Sequence, residues 1–410
     1  MQEKTKKNFI WNFIGSLIFG FTSLFFMMIT TRVNGIEDAG IFTYCFATAC
    51  ILYAVAAYCG KTFQITDIKN QYSDTDYIYN RLFTYIIAII AAVIFILCTG
   101  CDGKKGMVLF LLTLYRGLDA IMESFHAITQ KNGNLYRAGI SLFARAVVIT
   151  GVFFLVNYGT KNLVLACLAI VITGVLFLIG YDIPSAKPIK KTPFSWRRNF
   201  HLLRDGTYTF LFSFLTIYLL NAPRYALELL GQNDLQAIYG IIIMPASFLS
   251  LVAGYIIQPF LVRIGEMVGD KKYHDLKVFL FKISAFVAVC GGCCMIGGYF
   301  LGEPVLELLY GIDLVNQHIN LVIILLASTF YALSSFFSAV LIAMRKTFSQ
   351  LMVLIIDAFS AILVCYYIIP RHALLGASLS YLFIMFFQFT VYLFLIEHYS
   401  NSSSRKVTMR

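Results

Sequence analysis

Apolar stretches close to the ~20 residues a helix needs to cross a hydrocarbon core recur twelve times along the chain, at about residues 8–30, 39–59, 82–99, 107–128, 136–157, 162–181, 206–225, 236–262, 278–301, 318–344, 349–369 and 373–396. Polar residues gather in the short segments between them. The pattern predicts an all-α polytopic membrane protein with twelve transmembrane helices and excludes a water-soluble fold. The first stretch follows Lys4, Lys6 and Lys7, as a secretory signal would. It is too long for one, carries Asn8 and Asn12, and lacks a small-residue cleavage site, so it is expected to persist as a helix.

Basic residues orient the spans, because cytoplasmic loops carry an excess of Lys and Arg and sidedness must alternate at every loop. With the N-terminus inside, 23 of the 32 Lys and Arg fall in inside segments and 6 outside, leaving Arg116, Arg145 and Lys282 within spans. A missed or invented helix would scramble that split, so both termini are expected in the cytoplasm. The longest inside segment, about 182–205, holds Pro184, Pro188, Pro193 and six basic residues. It divides the chain into an N-terminal six-helix lobe, 1–190, and a C-terminal six-helix lobe, 206–410. After the first span the chain reads Arg32, then Asp38-Ala39-Gly40-Ile41-Phe42; after the seventh it reads Arg224, Asp234, then Ala237-Ile238-Tyr239-Gly240. Such an echo is what two halves of parallel topology would leave.

Composition agrees: 59% of residues are hydrophobic and 13% charged, against about half and a quarter in soluble domains. The net charge of +11 resides in the inside loops and does not point to nucleic acid. Most of the ten cysteines lie in apolar runs, where a thiol packs as a small hydrophobe. Cys290, Cys293 and Cys294 imitate a metal motif, but they sit mid-span beside Gly291 and Gly292 with no histidine near, so no metal is expected. No other cofactor is expected either. The inside loops lack a GxxxxGK[ST] phosphate loop, so the chain should not hydrolyse nucleotide. The largest outside loop has about 16 residues, too few for the external domain expected of a membrane-embedded polysaccharide polymerase or glycosyltransferase. The protein is therefore read as a transporter rather than an enzyme.

Ionisable side chains inside a bilayer cost several kcal/mol and normally face protein or a watery cavity. They concentrate on the fourth span, where Arg116, Asp119, Glu123 and His126 fall within an arc of about 80° at 100° per residue. Two readings are open. The four could neutralise one another as i,i+3 pairs, Arg116 with Asp119 and Glu123 with His126; or they could form a cavity face handling an anion or a proton. Arg145 in the fifth span, Lys282 one turn into the ninth and Asp357 in the eleventh are further buried candidates, Lys282 being able instead to snorkel to the cytoplasmic surface, while Arg32 and Arg224 suit helix anchoring at the outer interface. Uncharged stripes accompany them: Asn8, Asn12, Ser16 and Ser23; Ser247, Ser250, Gly254 and Gln258; Ser328, Tyr331, Ser335 and Ser338. Such residues also glue helices together. Gly15, Gly20, Pro245 and Pro259 mark places where spans could bend.

Six plus six helices, a cytoplasmic N-terminus, the basic central loop and the paired junctions after spans one and seven resemble the polysaccharide (O-antigen) flippase family of the multidrug/oligosaccharidyl-lipid/polysaccharide (MOP) exporter superfamily. The resemblance implies two lobes rocking around a central cationic cavity. It also implies translocation of an undecaprenyl-pyrophosphate-linked oligosaccharide to the outer leaflet of the bacterial inner membrane for surface polysaccharide, with H+ or Na+ coupling and a polysaccharide polymerase as a downstream partner. Moving two negative charges outward through about 100 mV would release roughly 5 kcal/mol. A pyrophosphate calls for guanidinium donors at depth. Arg116 and Arg145 are the first choices, Lys282 and Arg224 the second, with Asn12 and Ser16 for sugar hydroxyls. Asp119, Glu123, His126 and Asp357 are the candidates for ion coupling, Glu123 and His126 as a titrating pair. The rival within the superfamily is a small-molecule cation antiporter, in which carboxylates would dominate the cavity; a structural scaffold is disfavoured by the ionic face.

Overall fold

The structure, a computed structural model, describes residues 2–67, 70–101, 103–257, 260–270 and 272–408. Gln258 and Pro259 of the expected eighth-span features lie outside them. Among the described residues every regular element is a helix, the form in which a chain satisfies its own backbone hydrogen bonds in lipid. The chain divides into two compact units, Met1–Ile217 and Tyr218–Arg410.

In the first unit, α1 (Gln2–Gly20) and α2 (Thr22–Asn34) form the first span and break at Phe21. Next come α3 (Ile36–Ala56), the short α4 (Gly60–Thr66), α5 (Asp74–Thr99), α6 (Gly103–Lys131) and α7 (Leu135–Thr160). Then α8 (Leu163–Phe177) runs through a π-turn, Leu178–Asp182, into α9 (Ile183–Ser185). The unit is built around α6, which packs against α3, α4, α5, α7 and α8. Gly15 proves to be a crossing point rather than a hinge: a Cβ on it would lie 2.1 Å from the Gly139 carbonyl oxygen, and one on Gly139 would lie 2.3 Å from the Trp11 backbone. Only two glycines let α1 and α7 approach so closely. Asn8 closes the same junction, donating to the Gly133 carbonyl (3.1 Å) and accepting from the Tyr136 N–H (2.9 Å).

The basic segment after α9 is not a free tether. Lys190 N–H donates to Asp74 (2.9 Å), Thr192 N–H to Thr75 (2.8 Å), and Arg198 Nε to Asp76 (3.0 Å). Asp76 also completes a capping box with Ser73 at the start of α5. From this anchorage α10 (Trp196–Leu227) begins.

The second unit continues with α11 (Asn233–Ile242), α12 (Met244–Ile257), α13 (Phe260–Gly269) and α14 (Tyr273–Gly297). A second π-turn, Gly298–Gly302, leads into α15 (Glu303–Tyr310), followed by α16 (His318–Ala343) and α17 (Thr347–Thr408). Helix α16 is its hub, packing on α12, α13, α14 and α17. The serine stripes of the expected eighth and tenth spans meet here as helix glue: Ser250 and Ser328 share a hydrogen bond (3.1 Å), and Ser328 donates to the Ala246 carbonyl (2.8 Å).

Nine helical stretches of the described residues are long and apolar enough to cross a membrane, and the difference from the twelve spans expected has physical causes. Helix α6 is long enough at 29 residues but is loaded with charge. The expected eighth span is divided among α11, α12 and α13. The expected eleventh and twelfth are joined in α17, interrupted at Ala373 (φ 44°, ψ −117°).

Candidate functional site

Helix α6 brings its charges into the middle of the first unit, and each finds a partner from a neighbouring helix. Asp119, 4% exposed, is the centre. Its Oδ2 accepts from Arg116 Nη1 at 2.7 Å, and its Oδ1 lies 2.8 Å from Arg145 Nη1, delivered by α7. One carboxylate therefore holds two guanidiniums. Arg145 is 2% exposed, lies over the Phe19 ring at 4.4 Å and contacts Met122. Arg116 differs: 19% of its side chain remains exposed. It is stacked over the Tyr53 ring at 4.6 Å, and its Nε is buried with no protein partner among the described residues.

Towards the other end of α6 the expected Glu123–His126 pair does not form. Glu123 accepts from the Tyr53 hydroxyl at 2.7 Å, with the Lys61 ammonium within electrostatic reach. His126 Nε2 instead meets Asp182 Oδ1 at 3.0 Å, and Ser141 of α7 donates to the same oxygen at 2.6 Å. The reason lies in the packing: α3 offers a phenol to Glu123, and the π-turn after α8 carries a carboxylate to His126. Asp182, 2% exposed, is the functional candidate that sequence reasoning missed, having been placed at the start of the linker. A π-turn inserts an extra residue into a helix and is common at functional sites. Here it carries the helix past the expected span end.

One local device makes room for this arrangement. A Cβ on Gly117 would fall 2.0 Å from the Tyr85 ring, so glycine lets that ring lie on α6, its hydroxyl donating to the Leu114 carbonyl (3.2 Å).

The remaining candidates are dispersed. Asn12 and Ser16 are half-buried on α1, the helix that also carries Phe19 onto Arg145. In the second unit Arg224 is half-buried, bonded to Asn221 (2.8 Å) and within electrostatic reach of Tyr239 and Tyr381. Its surroundings are protein rather than the open interface expected of an anchor. Lys282 is exposed on α14, on the wall of a basin of about 750 Å³ shared with Arg263, Glu266 and Asp275. Asp357 is fully buried, touched by the Ser360 hydroxyl at 3.4 Å, and its Oδ2 has no partner among the described residues.

The first unit's cluster holds two arginines, two aspartates, a glutamate, a histidine and a lysine within the reach of one helix. Chemically it can fix a guanidinium in place while part of that side chain stays open.

No family model matches the chain. It is 24% identical over 379 residues to the capsular polysaccharide biosynthesis protein CapF of Staphylococcus aureus, covering 91% of this chain and 94% of that protein. Among solved structures it is similar to the lipid II flippase MurJ in an inward closed conformation (TM-score 0.73, 14% identity, 95% of this chain and 87% of that one). It is equally similar to an inward-facing multidrug resistance MATE family transporter of the MOP superfamily (TM-score 0.72, 13% identity, 94% and 96%). The chain thus has the all-helical membrane fold shared by MATE transporters and MurJ.

Proposed function

We propose that this protein is a MOP-superfamily flippase that carries a polyprenyl-pyrophosphate-linked oligosaccharide from the cytoplasmic to the outer leaflet for surface polysaccharide assembly. It would work by ion-coupled alternating access, with twelve spans in the bacterial inner membrane and both termini in the cytoplasm. The observation that carries the reading is Arg116. A guanidinium clamped by Asp119 and stacked on Tyr53, yet with part of its side chain still exposed, is preorganised to donate to a phosphate. Arg145, expected from sequence to meet the ligand itself, takes a positioning role in this reading: buried under Asp119, it shares the carboxylate and leaves Arg116 incompletely neutralised. The names of two similar proteins, a capsular polysaccharide biosynthesis protein and a lipid II flippase, support a lipid-linked sugar as the cargo.

The second reading, a small-molecule cation antiporter, is favoured by the MATE neighbour and by Asp357, a buried carboxylate with no cationic partner among the described residues. The two readings differ at Arg116, which would repel a cationic drug. Arg116→Ala should abolish surface polysaccharide and lipid-linked oligosaccharide flipping in proteoliposomes while the protein still reaches the membrane; Arg116→Lys should keep a residue of activity. Normal polymer with Arg116→Ala, or increased efflux of a cationic dye by the same variant, would replace the flippase with the antiporter. Asp119, Glu123, His126 with Asp182, and Asp357 are the groups through which H+ or Na+ would couple.

A further inference from the structure

The basin of about 750 Å³ in the second unit lies in the crevice between α13 and α14. The two helices form a hairpin. At its turn Lys272 N–H donates to the Met267 carbonyl (2.9 Å), and Ile264 and Met267 of α13 share a core with Leu276 and Leu280 of α14. Arg263 lies over the Phe279 ring at 4.9 Å, which sets the register: one turn of helix nearer the loop, Glu266 comes level with Asp275. Helix α14 opens the membrane-capable stretch His274–Tyr310, so the hairpin loop is at a membrane surface and depth grows along α14. At ~1.5 Å per residue, Lys282 lies about 10 Å deeper than Asp275.

The charges lining the basin are sorted by depth. At the rim stand Glu266, Asp270 and Asp275, with His274 and one ammonium, Lys272, which donates to Asp270 at 3.0 Å and is within electrostatic reach of the other two carboxylates. Three carboxylates against one ammonium leave the rim with two negative charges in excess. Deeper stand Arg263 and Lys282, both exposed, and neither forms an ion pair among the described residues. Beyond them Ile283 is shared with an apolar groove that continues along α14. A phospholipid presents its parts in this order: acyl chains in the core, a phosphate at the interface, and outermost whatever the phosphate carries. The cation pair suits any phosphate. The rim makes the choice, because a glycerol headgroup brings no positive charge to its carboxylates, and choline brings a charge without N–H donors. A primary ammonium one ethylene unit from the phosphate brings both. We infer that this basin binds the headgroup of phosphatidylethanolamine, its phosphate on Arg263 and Lys282 and its ammonium between Glu266 and Asp275, whatever cargo the protein carries.

The test is native mass spectrometry of the full-length protein released from detergent micelles and titrated with the dioleoyl forms of phosphatidylethanolamine, phosphatidylcholine and phosphatidylglycerol. One phosphatidylethanolamine should bind about tenfold more tightly than either of the others. Arg263→Gln/Lys282→Gln should lose that site. Glu266→Gln/Asp275→Asn should abolish the preference and leave phosphatidylglycerol bound at least as tightly as phosphatidylethanolamine, a reversal that a purely structural role of the carboxylates would not produce. All four side chains are exposed, so both double variants should keep the fold. Equal wild-type affinity for the three lipids, or a preference unchanged in Glu266→Gln/Asp275→Asn, would overturn the inference. Equal competition by phosphoethanolamine, which has no acyl chains, would assign the basin to a soluble ligand and overturn the lipid as its occupant.

Discussion

Asp119→Asn keeps the shape of the side chain and removes the single negative charge that joins Arg116 at 2.7 Å to Arg145 at 2.8 Å. Two guanidiniums are then left facing a neutral amide, one of them 2% exposed. A unit pair ~4 Å apart is worth about 4 kcal/mol at an effective dielectric near 20, and removing one partner of a buried pair costs about 3–5 kcal/mol because the other stays uncompensated. Two stranded cations place Asp119→Asn near the top of that range. Arg145→Met should cost less, about 1–2 kcal/mol. Asp119 keeps Arg116, Asp182 keeps His126 and Ser141, and the thioether packs where the guanidinium lay beside Phe19 and Met122. The double variant Asp119→Asn/Arg145→Met removes the buried cation along with its counter-charge and should be more stable than Asp119→Asn alone, with a coupling of about 2–3 kcal/mol. Equilibrium unfolding in mixed SDS–maltoside micelles, followed by circular dichroism, measures all four corners of the cycle. Strictly additive losses, or a larger loss in Arg145→Met than in Asp119→Asn, would show that the cluster is not balanced on Asp119.

Two further outcomes are expected. Gly139→Leu drives a Cβ into the Trp11 backbone and should destabilise the first unit by about 3 kcal/mol, while Gly151→Leu in open space on the same helix should stay within ~0.5 kcal/mol; equal losses by thermal unfolding would refute the close crossing. At the loop after α4, burial would raise the Asp67 carboxyl, but the Gln71 and Tyr72 N–H groups and the Tyr77 hydroxyl outweigh it and hold the carboxyl below its ordinary value. A lowered folded value means the stabilisation is present above the unfolded pKa, about 3.9, and is lost as pH falls through the folded one. Exchange protection at Gln71 and Tyr72, measured against the intrinsic rate at each pH, should therefore fall on acidification below about pH 4, and Asp67→Asn should be poorly protected already at neutral pH; strong protection in that variant would refute the role of the carboxylate.

The all-helical membrane fold was legible because a bilayer imposes a length and an apolarity that few other settings require, and the charged face of α6 was legible because ionisable residues are rare inside such runs. The partners were not. Spacing along α6 suggested that Glu123 would take His126, but spacing only counts neighbours on the same helix. Which group a side chain meets depends on which helices surround it, and α3 and the π-turn supply Tyr53 and Asp182. Arg145 was visible as a charge in an apolar run, yet nothing in the run could tell that Asp119 would be shared between it and Arg116.

Asp182 shows why one member of the cluster was hidden altogether. It ends an apolar run two residues before Pro184 in a segment rich in basic residues, so its position reads as the start of a loop. The helix instead continues through a π-turn, whose extra residue changes the direction in which the last side chains point. That shift places a carboxylate against His126 and Ser141 in the interior of the first unit rather than in the linker. A carboxylate at a span end is thus ambiguous by periodicity alone, since one inserted residue rotates it by about 100°; its contact with α6 and α7 decides that it belongs to the ionic cluster.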